Sequence, residues 1–457
     1  MTSLGTAGTQ APVWRTTTTF ASGVVLGVLL LGTGLVAGRA DVALLGVPAI
    51  LSAAWGWAHR PVGTVTAGIR LDPDAPLGVL GATLRLDAPP GAEIVRFRVL
   101  GPSRLETERV VATTSGEREL ALRMPSARTG VEDTFRVDHV AYGPEGVEEQ
   151  GPVVTTGPRR LVLPQPVPLR RVPLASRLRG LSGPHTSRRP GDGTELRDVD
   201  TYRPGDSTRR IDWRTTARRS PGLDALSVRR TFATAEATVV LVVDSRDEVG
   251  PDLATWGGVG SQRPDEPTSL DLARHAAASV AQAVLDGGDR VALDDLGRVR
   301  RPVRPGAGRR HLRRVLHALA LARPAGDPTA RHRPPQVPAG AAVYLFSTLL
   351  DDEAPRLARE WHRAGYVVVV VDTLPPVTVA AAYDRVVLAW RITRLEREDR
   401  VDTLRAEGIE VVRWYTPADA GTTGGGGTAA RGAFEVAAAR HERRAGRGGA
   451  APREGAR

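Results

Sequence analysis

Two uncharged apolar runs open the hydropathy pattern of this chain, Phe20 to Gly38 and Val42 to Ala58, separated only by Arg39 and Asp41. Each is about long enough to cross the hydrocarbon core of a bilayer as a helix. They predict a transmembrane hairpin within residues 1–61, with spans at about 20–38 and 42–58. Gly23, Gly27, Gly32 and Gly34 would let two such helices approach closely. Trp55 and Trp57 stand near the end of the second run, where indole rings favour the membrane interface. A cleaved signal peptide followed by a buried helix is the competing reading, but the positive n-region it needs is weak, with Arg15 the sole charge before the run. Arg15 and Arg60 flank the pair and Arg39 lies between them. That balance predicts a multi-pass protein of the cell membrane whose downstream region is cytoplasmic.

Past Pro61 the period becomes two. Thr64–Leu71, Ala82–Leu86, Glu93–Val99, Glu119–Arg123 and Phe135–Val140 carry apolar residues at about every second position, with Pro and Gly clustered between them. Residues 62–157 therefore read as a small antiparallel β-sandwich of Ig-like outline. Residues 158–192 form a Pro- and Arg-rich connector, including Arg159, Arg160, Arg170, Arg171, Arg177 and Arg179, with extended backbone expected over Pro164–Pro173. From residue 237 to 416 strands and helices alternate. Thr238–Val243 and Tyr366–Asp372 are continuous apolar runs, as strands buried on both faces require. Further strands are expected at Arg290–Leu293, Val299–Val303, Ala341–Ser347 and Ile409–Trp414. Helices are expected at Leu270–Leu285, Arg309–Leu321, Ala354–Ala364 and Asp384–Glu407, and residues 247–268 read as a loop. This order predicts an open, mostly parallel α/β sheet with helices on both sides. Gly, Ala and Arg dominate residues 417–457, which predicts a disordered basic tail.

Composition narrows the chemistry. The 457 residues suffice for two or three domains. Lys and Arg together number 62 against 51 Asp and Glu, a formal net charge of +11, and every one of those cations is Arg. Without Lys there is no Walker A lysine and no Schiff base. Without Cys there is no thiol nucleophile, disulfide or thiolate metal site. The nine His form no H-E-x-x-H, and His311 and His317, on the basic helix, read as surface residues. No G-x-S-x-G elbow and no nucleophile–base pair is visible, so the chain is expected not to be an enzyme and to need no cofactor. Net positive charge alone suits anionic lipid as well as nucleic acid. Aromatics are 4% of the chain, which leaves few stacking platforms, so nucleic acid is not an expected partner.

Residues 193–236 hold the densest chemistry. Between Gly193 and Arg219 one Tyr, one Trp and a Pro-Gly turn are set among Arg and Asp. Pro204 and Gly205 suit the two central positions of a tight turn. Asp206 follows, placed to cap the next segment. Asp198, Asp200, Asp206 and Asp212 can accept the planar forks of Arg209, Arg210, Arg214, Arg218 and Arg219. Near-balance of donors and acceptors suggests an arm stapled onto the α/β sheet, with Trp213 buried. Loss of Asp206 or Asp212 would then be severe, as for any broken buried pair. The arginines at 209–210 and 218–219 are the surplus left for a partner.

The run Arg197, Tyr202-Arg-Pro-Gly-Asp206, Arg209, Ile211-Asp-Trp213 and Ala217-Arg218 resembles the signature of the bacterial family called domain of unknown function 58. The resemblance makes Arg197, Tyr202, Gly205, Asp206, Arg209, Asp212, Trp213 and Arg218 the candidate interaction residues. It implies a von Willebrand factor A (vWA)-like fold for residues 237–416. It also implies a MoxR-type AAA+ ATPase as partner, with a transglutaminase-like membrane protein nearby. In vWA domains a D-x-S-x-S loop at the strand ends often holds Mg²⁺ through oxygen ligands. Here the loop reads Asp244-Ser245-Arg246-Asp247-Glu248, and Ser347-Thr348 stands where a later Asp belongs. Asp351 and Asp352 lie further on, out of expected reach. The site near Asp244, Ser245 and Thr348 thus looks degenerate, with Asp244 and Arg246 in an ion pair and Mg²⁺ not expected. The function implied is a membrane-anchored interaction scaffold or adaptor that helps the ATPase assemble or remodel a client complex. The alternatives are a metal-dependent vWA adhesion or sensor domain, and an anionic lipid or nucleic-acid binder.

Overall fold

The computed structural model describes residues 13–101, 106–112, 116–175, 183–220, 222, 224–258, 262–297, 301–325, 333–379, 383–415 and 428–447. Arg177 and Arg179 of the connector, and much of the expected tail, lie outside them. The chain divides into two compact units, Met1–Val162 and Leu163–Arg457.

The first unit begins with strand β1 (Trp14–Thr16) and helices α1 (Thr18–Val36) and α2 (Ala40–Ala58). Helix α1 starts two residues before the apolar run because the Thr17 hydroxyl accepts from the Phe20 amide at 3.1 Å. Gly38, at φ +67°, turns the chain into α2. The helices pack through small residues. A Cβ at Gly34 would come within 2.3 Å of Ala43, and one at Gly46 within 2.5 Å of the Gly27 carbonyl. Gly23 and Gly32, expected in the same seam, face open space instead. Both helices are long and apolar enough to cross a membrane, and their outer residues, among them Leu29, Leu35, Leu45 and Leu51, are exposed.

The rest of this unit is antiparallel. Strands β2 (Thr66–Leu71), β3 (Val79–Ala88) and β6 (Gly116–Pro125) make one sheet. Strands β4 (Ile94–Leu100), β5 (Glu106–Ala112), β8 (Arg136–Tyr142) and β9 (Glu148–Thr156) join β1 in a second, ordered β1-β9-β8-β4-β5. Strands β7 (Gly130–Glu132) and β10 (Arg160–Val162) pair separately. Period-two patterning sends Leu80, Leu84 and Leu86 of β3 and Val95, Phe97 and Val137 of β4 and β8 into one core.

The second unit opens on the Pro-rich segment, which is tied down. The Val167 amide donates to the Ser279 hydroxyl (2.8 Å), and the Tyr344 hydroxyl donates to the Pro173 carbonyl (2.6 Å). Strands β11 (His185–Thr201) and β12 (Ser227–Ala235) then form an irregular antiparallel ribbon, with helix α3 (Trp213–Arg219) between them in sequence. The main sheet has the order β15-β14-β13-β16-β17-β18. Its strands are β13 (Thr238–Val243), β14 (Arg290–Asp295), β15 (Val303–Gly306), β16 (Ala342–Ser347), β17 (Val367–Asp372) and β18 (Glu410–Arg413), parallel except for β15. Of the expected strand Val299–Val303, residues 299 and 300 lie outside the described residues; β15 begins after Pro302, which has no amide to give a ladder.

Alternation divides the core. Val239, Leu241 and Val243 face one layer, with α4 (Ser269–Asp286) and α5 (Arg309–Ala320). Val240 and Val242 face the other, with α6 (Glu353–Arg363) and α7 (Asp384–Ala406). Two further expectations fail in this unit. His311 is buried, its Nε2 2.7 Å from the Val291 carbonyl, because it lies on the core face of α5 with Val315 and Leu319, while the arginines of the helix are exposed. The tail expected to be disordered contains helix α8 (Thr428–Arg447). Its Ala430, Phe434 and Ala437 recur on one face, and Phe434 packs against Trp414 and Tyr344.

Candidate functional site

The signature residues gather on the arm made by β11, β12 and α3. The Arg203 carbonyl accepts from the Asp206 amide at 2.9 Å, closing the turn, and Gly205 takes φ +104°. Asp206 reaches backward rather than onward. It accepts from the Arg203 amide (2.9 Å) and from Arg230 Nη2 (3.2 Å), so the expected forward cap is replaced by a closed turn. Its carboxyl is held below the usual range by that amide and then by Arg230. Tyr202 continues the ribbon, its amide donating to the Leu226 carbonyl. Asp212 is the true cap. It accepts from the Thr215 amide at 3.0 Å and pairs with Arg229 at 2.9 Å, which together lower its pKa. Arg197 pairs with Asp198, Arg230 with Asp200, and Arg210 with Asp192.

The sequence reading did not single out Arg229 and Arg230. They sit on β12 and supply the cations for Asp200, Asp206 and Asp212; only the strand register brings them there. The pairs therefore staple the arm to itself. At the base of the ribbon His185 Nε2 lies 2.8 Å from Asp289. Arg197, Asp206, Arg210, Arg229 and Arg230 line an open cleft along the ribbon.

Trp213, expected to be buried, is 61% exposed. Helix α3 has seven residues and buries only Thr216, whose hydroxyl accepts from the Ser227 amide at 2.9 Å. So short a helix has one anchored position, and the indole is left outside. Arg209, Arg214, Arg218 and Arg219 are exposed and, among the described residues, have no hydrogen-bond or ion-pair partner. The arm thus presents one large aromatic ring and four uncommitted guanidinium groups.

A second charged cluster lies at the carboxyl ends of the parallel strands. Arg246 donates through Nε and Nη2 to the two oxygens of Asp244, both at 2.8 Å. It donates again through Nη1 (2.6 Å) and Nη2 (3.0 Å) to Asp351. Asp351, expected out of reach, is brought back by the loop after β16, where Leu349 adopts φ +59°. Ser347 Oγ donates to Asp244 at 2.8 Å. The Thr348 carbonyl accepts from Arg397 at 2.7 Å, and Arg397 also pairs with Asp372. Ser245 turns to Asp295. Burial works against the Arg246 charge, but Asp244 and Asp351 outweigh it and raise its pKa. Asp247 is pushed up to about 6 by burial and by the same two carboxylates. A hard cation needs free oxygen ligands. Here both Asp244 oxygens are engaged by a guanidinium and the two hydroxyls point to carboxylates, so these residues do not fit Mg²⁺.

An apolar helical hairpin, a β-sandwich and a mixed α/β sheet bearing an arginine-rich arm define the class of protein. Residues 198–387 match the family model described as protein of unknown function DUF58, and this part of the chain belongs to that family. The match runs from Asp198 on the arm to Val387 in α7, so it contains Asp206, Asp212 and Trp213 of the arm and Asp244, Arg246 and Asp351 at the strand ends, but not Arg197 or Arg397. Uncharacterized proteins of Mycobacterium bovis and Mycobacterium tuberculosis are each 30% identical over 198 residues, which is 43% of this chain and 52% of theirs. The chain thus spans about half the length of the curated relatives it matches. A solved family two carbohydrate esterase of Clostridium thermocellum aligns with 10% identity and a TM-score of 0.17, over 85% of this chain and 98% of that one, and carries no argument.

Proposed function

We propose that this protein is a membrane-anchored docking scaffold without catalytic activity. The hairpin of α1 and α2 anchors it in the cell membrane as a multi-pass protein, and the α/β unit, a vWA-like domain, works on the cytoplasmic side. The arm of β11, β12 and α3 grips an acidic face of a partner. The partner is a MoxR-type AAA+ ATPase, which uses the scaffold in assembling or remodelling a client complex, with a transglutaminase-like membrane protein as neighbour.

One observation carries this reading: exposed Trp213 beside unpaired Arg209, Arg214, Arg218 and Arg219, in an arm whose other arginines are committed to aspartates. Trp and Arg dominate the energetics of protein interfaces. A fold with its own acceptors in reach has no structural need to leave four guanidinium groups unused. The closed Asp244–Arg246–Asp351 cluster argues against metal-dependent adhesion at the strand ends. The test is affinity purification of the full-length protein from native membranes, beside a variant with Trp213→Ala and Arg218→Gln. Recovery of an AAA+ ATPase with the parent and its loss with the variant is the expected result. Equal recovery from both, or none from either, would refute the docking role of the arm.

A further inference from the structure

Among the arginines of the arm that meet an aspartate, Arg210 is held differently from the rest. Arg229 and Arg230 face Asp212 and Asp206, whose side chains are only 11% and 24% exposed. Arg197 meets its own sequence neighbour, Asp198. The Asp192 carboxylate opposite Arg210 is 93% exposed, although the Arg210 side chain is itself largely shielded. Neutral oxygens fix that guanidinium: Nη1 donates to the Gly191 carbonyl (3.1 Å) and to the Thr231 hydroxyl (3.0 Å). Nη2 is left for Asp192, at 3.0 Å. The ribbon explains the difference. Gly191 and Leu196 both register with Thr231, so residues 192–195 stand out of the pairing as a bulge. Close approach to β12 requires glycine there, since a Cβ at Gly193 would come within 2.3 Å of the Phe232 carbonyl. Bulges re-aim side chains beside functional sites, and this one sets Asp192 in the lining of the open cleft with Arg210.

We propose that Arg210 anchors one carboxylate of the partner, an Asp or Glu side chain that enters the cleft in place of Asp192. The chain's own Asp192 shows which chemistry the guanidinium takes, and a planar fork fixed by neutral acceptors keeps its charge for a carboxylate. An ion pair in contact with water contributes little, so one carboxylate replaces another at little cost, and a side chain on a docked protein arrives at high effective concentration. Asp206 and Asp212 are not exchangeable in this way, because they also close the turn and cap α3. The inference rests on the docking reading above and names the group that docks.

The probe is a fluorescein-labelled hexaglutamate peptide, titrated by anisotropy against the full-length protein in detergent. Asp192→Asn should tighten binding about two- to fivefold, the gain from losing a competing exposed pair. Glu195→Gln removes an equal charge from the same bulge. Glu195 is exposed and has no ion-pair partner among the described residues, so this variant should bind as the parent does. Arg210→Gln should weaken binding about tenfold, and adding Asp192→Asn to it should then gain nothing, because both residues act on one site. Equal tightening by Asp192→Asn and Glu195→Gln, or a gain that survives Arg210→Gln, shows that charge alone is read and overturns the anchor. The comparison of the two exposed positions decides the matter even if Arg210→Gln fails to fold. Purification from native membranes separates this inference from the docking reading. If the ATPase is lost with the Trp213→Ala, Arg218→Gln variant but kept with Arg210→Gln, docking stands and the anchor is refuted. If no ATPase is recovered while Arg210 and Asp192 remain coupled on the peptide, the carboxylate site stands and the ATPase reading falls.

Discussion

The arm and the strand-end cluster are made from the same two side chains, and they hold them in opposite ways. At the strand ends the Arg246 and Asp244 side chains are 6% and 2% exposed, and the guanidinium satisfies two carboxylates at once. On the arm the pairs lie in contact with solvent, and four arginines and a tryptophan are left over. A buried pair costs desolvation and repays it only when every donor and acceptor is met, so it closes the site to other ligands. An exposed pair is worth little to stability and leaves its neighbours free to bind. Where aspartates and arginines are equally dense in sequence, burial decides whether they make a lock or a landing surface.

Breaking the lock should give the largest effect. Arg246→Ala strands the Asp244 carboxylate in the interior and should cost about 3–5 kcal/mol of stability, read from denaturant unfolding of the full-length protein. Trp213→Ala should do the reverse. Its stability should stay within about 0.5 kcal/mol of the parent, while partner affinity falls by about 2–4 kcal/mol in a titration. A loss of stability comparable to that of Arg246→Ala would erase the distinction between the two regions.

Acid sharpens it further, because the carboxylates of the two regions respond with opposite sign. Asp247 is raised to about 6, so the native state holds its proton more tightly than the unfolded chain. Its contribution falls as pH rises from about 4 towards 6 and is constant above that. Asp247→Asn should therefore remove that slope and stabilise the protein at pH 7 by about 1–3 kcal/mol. Asp206 and Asp212 are lowered, so their contribution is present at neutral pH and disappears as pH drops below the ordinary carboxylate range. Thermal melts of Asp212→Asn across acidic pH should show a flatter acid limb. The change should be small, in contrast to the severe loss expected of a buried pair. Smallest of all, Arg209→Gln should leave folding untouched and weaken the salt dependence of partner association.

Much of the scaffold was legible because its patterns are local. Period-two segments gave the sandwich strands, and unbroken valine runs gave β13 and β17. The Asp244–Arg246 pair could be anticipated because the two residues are near neighbours in sequence. What could not be read depended on distant contacts. Asp351 returns to Arg246 only because Leu349 bends the loop, and Arg229 and Arg230 meet their aspartates only through strand register. Trp213 looked like core by residue type, but the short α3 gives it nothing to lie against. His311 was hidden among arginines, and the apolar face of α8 among glycine, alanine and arginine. Each of these misjudgements took composition as a guide to burial where geometry decided.

Helix α8 also bears on the order of manufacture. The ring of Phe434 sits against Tyr344 and Trp414, yet it leaves the ribosome after both of them and long after the apolar hairpin. Until that ring emerges, one side of the sheet remains unfinished. The core on that side of the sheet therefore closes only once the last described helix of the chain has been made.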